Sequence, residues 1–315
     1  MEEKNQTDSV DLIAELVKKV KGVGPSKAYS LAEFLDGDWI AFLNADPEKL
    51  SKLKKANGKQ IFSAAQIEEI EFKQREFLDF KNVRTAWVYL IGKDFLLSQI
   101  NTLESVALSN LDINPFLMQV LDFKTPEEVL EFNLYQSVTR SIVTSWGTTV
   151  ESLLARCGAE RFLEKNTDRA GRRPDLQKYV GEKKFYIQVK SGPNTMNVDM
   201  VNSLNEVINT YREREPNSSF ILGMTYGTKK RISSQIKDNL NDFDNSILIG
   251  RELWDFISGE KNFHRELFNI LDQSSEYITS KTFSEHLKDR LARLVGEWKT
   301  KNGDKTLEDV YEDYL

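Results

Sequence analysis

Along residues 9–75 apolar side chains recur at the three- and four-residue spacing of amphipathic helices. In "DLIAELVKKVKGVGPSKAYSLAEFL" one such helix stops at Gly22-Val23-Gly24. A second begins at Pro25, the residue type favoured at the first helical position. A weaker copy follows in "PEKLSKLKKANGKQIFSAAQIEEI", with Asn57-Gly58 at its turn. From about 76 to 135 the pattern stays helical and is interrupted at Pro115. A long helix is then predicted in "FNLYQSVTRSIVTSWGTTVESLLARCG", where Val138, Ile142, Val143, Trp146, Val150, Leu153 and Leu154 hold the helical period.

The period changes after that helix. Residues 174–190 read as two alternating segments about Gly181-Glu182, and glycine at the first central position selects a two-residue type II′ turn. A helix over 198–214, apolar strands over 219–227 and 246–250, and a helical tail from 252 complete the pattern. Apolar strands separated by helices predict an α/β core. The expected domains are an all-α front over 1–75 and the α/β unit over 76–315.

The turn sets a register. With Gly181 and Glu182 in the loop, Val180 faces Lys183, and Asp175 falls opposite Gln188. Side chains alternate along a strand, so Gln188 and Lys190 share one face while Phe185, Ile187 and Val189 take the other. Residues directly opposite point to the same side, which brings Asp175, Gln188 and Lys190 together. A slip of one residue would scatter them. A carboxylate and an amide oxygen are hard donors suited to Mg²⁺. Such an ion polarises a phosphoryl oxygen and lowers the pKa of water, and a lysine beside it stabilises developing negative charge. The trio is the equipment of a metal-dependent phosphodiesterase.

Composition narrows the alternatives. The net charge of −6 argues against a surface that binds polyanions everywhere. Locally the picture reverses: from Lys165 to Lys190 eight basic side chains stand against three acidic ones. That stretch and "GTKKRISSQ", with Lys229 and Lys230, form a candidate duplex-DNA face. Arg172 and Arg173 are expected to meet phosphates, and Ser191, Asn194, Thr195 and Asn197 to touch phosphates or base edges. In the helical front, Gly22 and Gly24 allow close backbone approach to an anion, with Lys27 adding charge. Cys157 is the only cysteine, and His264 and His286 read as helix surface, so Cys-based zinc clusters and His triads are not expected. No run of about 18 apolar residues occurs, and "MEEKNQTDSV" lacks a leader pattern; a cytoplasmic protein without membrane contact is expected.

Arg173-Pro174-Asp175, followed after twelve residues by Gln188-Val189-Lys190, resembles the PD-(D/E)xK nuclease motif. With "INPF" at 113–116, the 199–214 helix, "MTYG" at 224–227 and "GRELW" at 250–254, the chain resembles type II restriction endonucleases, especially those cutting interrupted GG/CC palindromes. The paired helices of the front resemble a tandem helix-hairpin-helix domain, a module that grips the DNA backbone. The resemblance implies a restriction-endonuclease-like α/β core, a mixed sheet flanked by helices, and Mg²⁺-dependent cleavage of double-stranded DNA by a homodimer, with Asp175, Gln188 and Lys190 in the catalytic site. One position departs from the motif: Gln188 stands where the family carries Glu or Asp. An amide ligates without charge, so a further acid is expected. Glu151 is the candidate, because family members often place a glutamate on the preceding helix; Glu160 and Asp168 are its rivals. Two other readings stay open, a repair or structure-selective nuclease and a non-catalytic DNA-binding protein on a decayed nuclease fold.

Overall fold

The computed structural model describes residues 2–55, 57–162, 173–276, 280–303 and 305–312. The chain divides into two compact units, Met1–Leu90 and Ile91–Leu315.

In the first unit α1 (Glu2–Lys18), α2 (Pro25–Phe34), α3 (Trp39–Leu43), α4 (Pro47–Ser51) and α5 (Ala64–Glu76) lead into the start of α6 (Val83–Ser105), within which the division falls. The first helical pair is as the pattern predicts: Gly22 turns at φ +76°, Gly24 caps α2 without a side-chain bond, and Pro25 opens it. The second pair departs from the first. Lys54 bridges Gln60 about Asn57-Gly58, and α5 starts only after Ser63, whose capping box with Gln66 sets its first turn. Asn-Gly is a strong β-turn signal, and it closes a small β-type hairpin here in place of a direct helix-to-helix corner. Gln66 also donates to the Lys21 carbonyl at 3.1 Å, tying α5 to the first turn. The core beneath holds Trp39, Phe42, Phe77, Phe80 and Tyr89, with the Trp39 indole donating to the Phe80 carbonyl at 2.7 Å.

The second unit continues α6 and adds α7 (Pro115–Val120), α8 (Pro126–Cys157), β1 (Glu160–Arg161), β2 (Leu176–Val180), β3 (Lys183–Lys190), α9 (Val198–Arg214), β4 (Ser219–Met224), α10 (Ser234–Asn239), α11 (Phe243–Ser246), β5 (Ile247–Ile249), α12 (Arg251–Ser258), α13 (Phe263–Glu276), α14 (Phe283–Asn302) and α15 (Leu307–Glu312). The strands form one mixed sheet in the order β1-β2-β3-β4-β5, antiparallel through β3 and parallel beyond it. Helix α8 begins six residues before the periodic pattern does, because Thr125 and Glu128 form a capping box and Pro126 occupies the first turn. Strand β1 is a two-residue edge that no pattern of alternation could reveal.

The two faces of the sheet bury different helices. Tyr186, Phe220, Leu222 and Met224 pack with Val201, Leu204, Val207, Ile208 and Tyr211 of α9 in one apolar cluster. On the opposite face Gly223 leaves room for Leu253 of α12, and Phe185 meets Phe256 edge-on at 5.1 Å. There Lys178 donates to the carbonyls of Gly158 at 3.1 Å and Ile257 at 2.9 Å, joining the end of α8 to α12 across the sheet edge. No described helix is long and apolar enough to cross a membrane.

Candidate active site

The hairpin places the chemistry. Gly181 takes φ +60°, a conformation that favours glycine, and Val180 faces Lys183, Tyr179 faces Lys184, and so on to Leu176 opposite Ile187. One step further out, the Asp175 N–H donates to the Ile187 carbonyl at 3.0 Å and the Asp175 carbonyl accepts from Phe162 at 3.2 Å. The Gln188 side-chain amide donates to Asp175 Oδ2, and the Val189 backbone N–H donates to the same oxygen at 2.7 Å. Among the described residues no donor reaches Oδ1.

Gln188 and Lys190 lie on the face that buries Tyr186, yet both are half-buried while Tyr186 is inaccessible. That face therefore passes within one strand from dry core to open rim. Residues 191–197 separate the strand end from the first turn of α9.

Three charges act on Asp175 from different elements. Burial pushes its carboxyl up to about 6; the Val189 hydrogen bond opposes that, Glu151 on α8 raises it further, and Lys190 and Arg173 lower it. Glu151 is thus an electrostatic neighbour of Asp175, brought there by helix packing that no local pattern specifies. A Cβ on Gly147, one turn earlier on α8, would meet nothing within 4 Å, so that stretch of helix is open to approach. Arg173 precedes Pro174, which biases it to extended backbone and sends its side chain the same way as Asp175. It is exposed, whereas Pro174 is buried. Glu160, the rival acid, instead accepts from Gln177 at 3.4 Å across the β1–β2 ladder. Asp168 and Arg172 lie outside the described residues.

The other predicted DNA-contacting residues divide by what already occupies them. Asn197 caps α9, its Oδ1 accepting from the Met200 N–H at 2.9 Å. With its amide turned so that nitrogen meets the neighbouring acceptors, Asn194 donates to the carbonyls of Arg231 and Pro193, 3.1 Å from each. Thr195 donates to the Gly192 carbonyl at 2.8 Å. These three shape the loop, while Ser191, half-buried, follows directly on Lys190. Lys229 pairs with Glu252 at 3.5 Å with both side chains exposed, and Lys230 is exposed beside it. In the first unit Gly22 and Gly24 are exposed and Lys27 is half-buried on α2. The histidines differ from the surface expectation: His286 is half-buried and within 3.3 Å of Glu104, and His264 Nδ1 is buried. Helix packing, invisible in a local amphipathic pattern, covers them.

The sequence model of the family described as type II restriction endonuclease EcoO109I matches residues 87–277, more than half of the chain. The chain belongs to that family. The match spans α8, the hairpin and the sheet, so the elements that carry Asp175, Gln188, Lys190 and Glu151 all fall inside it. Residues 1–86 precede it. A comparison with curated proteins finds no match. A member of this family is a hydrolytic DNA-cutting enzyme of restriction type, with DNA as its substrate and, as is usual in the family, a divalent metal as its helper.

The donor set suits such a metal. No group of three His, Cys, Asp or Glu side chains occurs among the described residues in a metal-holding arrangement. The local candidates are therefore two carboxylates, Asp175 and Glu151, and the Gln188 amide oxygen, with water completing the shell. Hard oxygen donors, few in number, are the pattern Mg²⁺ accepts.

Proposed function

We propose that the chain is a Mg²⁺-dependent type II restriction endonuclease that hydrolyses phosphodiester bonds in double-stranded DNA at a palindrome of the interrupted GG/CC kind. The observation that carries this reading is the meeting of Asp175 and Gln188 at the open end of the hairpin, with the charges of Glu151, Lys190 and Arg173 around the same carboxyl. In this reading Asp175, Glu151 and Gln188 hold the ion, Gln188 by rotating its terminal amide roughly 180° to present oxygen in place of nitrogen. When bound, Mg²⁺ supplies charge for the scissile phosphate and a more acidic water. Lys190 donates toward the non-bridging oxygens as negative charge develops there, and it orients the attacking water. Arg173 adds a second cation on the exposed side of Asp175. The carboxylate pair supplies what an amide lacks: at about 4 Å and an effective dielectric near 20, each unit charge pair is worth about 4 kcal/mol.

The helical front, residues 1–75, is read as a tandem helix-hairpin-helix domain. Gly22, Gly24 and Lys27 then meet the DNA backbone at the start of α2, where N–H groups lack a side-chain cap. Cutting both strands of a palindrome calls for a homodimer with two-fold symmetry.

The experiment is direct. Digestion of a genomic DNA with Mg²⁺, followed by sequencing of the ends, should return one defined palindrome. Asp175→Ala and Lys190→Ala should each lower cleavage at least about a thousandfold while duplex binding in Ca²⁺ persists. Ends scattered over flaps or junctions would instead identify a structure-selective nuclease, and wild-type inactivity with Mg²⁺ and Mn²⁺ on varied DNA a binding protein.

A further inference from the structure

Tyr226 follows β4 after one residue, Thr225, and is 59% exposed. The residue before it, Thr225, is held firmly. The Thr225 N–H donates to the Lys190 carbonyl at 3.2 Å, the Thr225 hydroxyl donates to the Ser191 carbonyl at 2.8 Å, and the Trp254 indole donates to the Thr225 carbonyl at 2.9 Å. The residue is therefore locked to the strand end that carries Lys190.

The phenol lies over the loop that leaves Lys190. A Cβ built on Gly192 would stand 2.4 Å from Tyr226 Cζ and 2.5 Å from its hydroxyl oxygen, so only glycine at 192 lets the ring lie there. Gly227 and Pro193 stack in the same rim, and the Ser233 N–H donates to the Pro193 carbonyl at 3.2 Å. The hydroxyl itself meets no hydrogen-bond partner among the described residues. Lys229, Lys230 and Arg231, all exposed, follow on the same segment. A phenol hydroxyl without a partner among the described residues, on a segment that continues into three exposed cations, is suited to a phosphate oxygen.

We propose that Tyr226 is a DNA-backbone contact whose hydroxyl donates to a phosphate oxygen of the strand lying over Lys190, and that Gly192 exists to seat its ring. This rests on the proposed nuclease function. The contact adds no charge, so it positions the strand without releasing a counterion.

The test uses the full chain and a short mixed-sequence duplex in Ca²⁺, with binding followed against salt and the melting temperature measured in parallel. Tyr226→Phe should weaken binding about tenfold, as loss of one hydrogen bond to a charged group does, with the slope against log salt and the melting temperature unchanged. Gly192→Ala should weaken binding similarly in the parent and add nothing to Tyr226→Ala, since the displaced ring is then absent. Parent-like binding by Tyr226→Phe overturns the proposal, whether or not Tyr226→Ala is impaired, because stacking alone would survive in phenylalanine. A Gly192→Ala loss of equal size in both backgrounds overturns the seating role. Asp175→Ala distinguishes the two readings: if it binds but does not cut, the nuclease reading stands even where Tyr226→Phe is inert. A parent chain that binds no duplex overturns both.

Discussion

Asp175 is the residue on which most of the chemistry turns, and its protonation has a consequence for stability. In the folded chain burial and Glu151 hold its carboxyl near pH 6, whereas an unperturbed aspartate titrates near 3.8. Between those values the folded chain binds more protons than the unfolded one, so stability declines as pH rises through that window and levels off above it. The ceiling of the effect is about 3 kcal/mol, at 1.36 kcal/mol for each pH unit of displacement. In metal-free buffer Asp175→Asn should accordingly melt higher than the parent at about pH 7.5, with the gap closing toward about pH 3.5. A gap between variant and parent that is the same at both pH values would show that the buried charge costs nothing. A site that is electrostatically uncomfortable when empty has something to gain from a cation, which is how a destabilising carboxylate becomes useful.

Among the elements that carry the candidate site, the β2–β3 hairpin is the most legible in sequence and the docking of α8 the least. The hairpin register comes from one glycine and a two-residue turn, so local rules are sufficient to bring Asp175 opposite Gln188. Helix α8 carries Glu151, but its position depends on how its C-terminal end docks. Gly158 terminates α8 at φ +134°, and a Cβ there would stand 2.3 Å from the Ile257 carbonyl of α12. Gly158→Ala should therefore cost at least about 2 kcal/mol in denaturant unfolding, from backbone strain and from forcing α12 off the end of α8. It should also reduce cleavage beyond the loss of folded protein, since the same displacement carries Glu151 away from Asp175. Full stability in Gly158→Ala would remove that account of how α8 is placed.

At the scale of the whole molecule, the proposed reaction sets the assembly. One chain of 36.3 kDa holds one candidate site, and a palindrome presents two equivalent bonds. Sedimentation at micromolar concentration should give twice the chain mass, and DNA binding should fall steeply with salt because Arg173 and Lys190 act on the Asp175 carboxyl and Lys229 and Lys230 extend the proposed DNA face. A monomer in solution that remains a monomer on duplex DNA would contradict the two-fold mode of cutting.

By itself the sequence determined the short-range features of this protein. Helix starts at Pro25 and Val198, the Gly181 turn, the strand faces and the departure at Gln188 can all be read from neighbouring residues, because capping, turn geometry and the two-residue strand period act within a few positions. The same capping chemistry, in the pair Thr125 and Glu128, marks the start of α8 where apolar periodicity does not. Tertiary structure alone decided which acid stands beside Asp175, that Tyr186 is dry while Gln188 and Lys190 are not, and that Tyr226 lies on Gly192. Those outcomes depend on how helices dock against a sheet, and docking is set by the summed packing of side chains far apart in the chain.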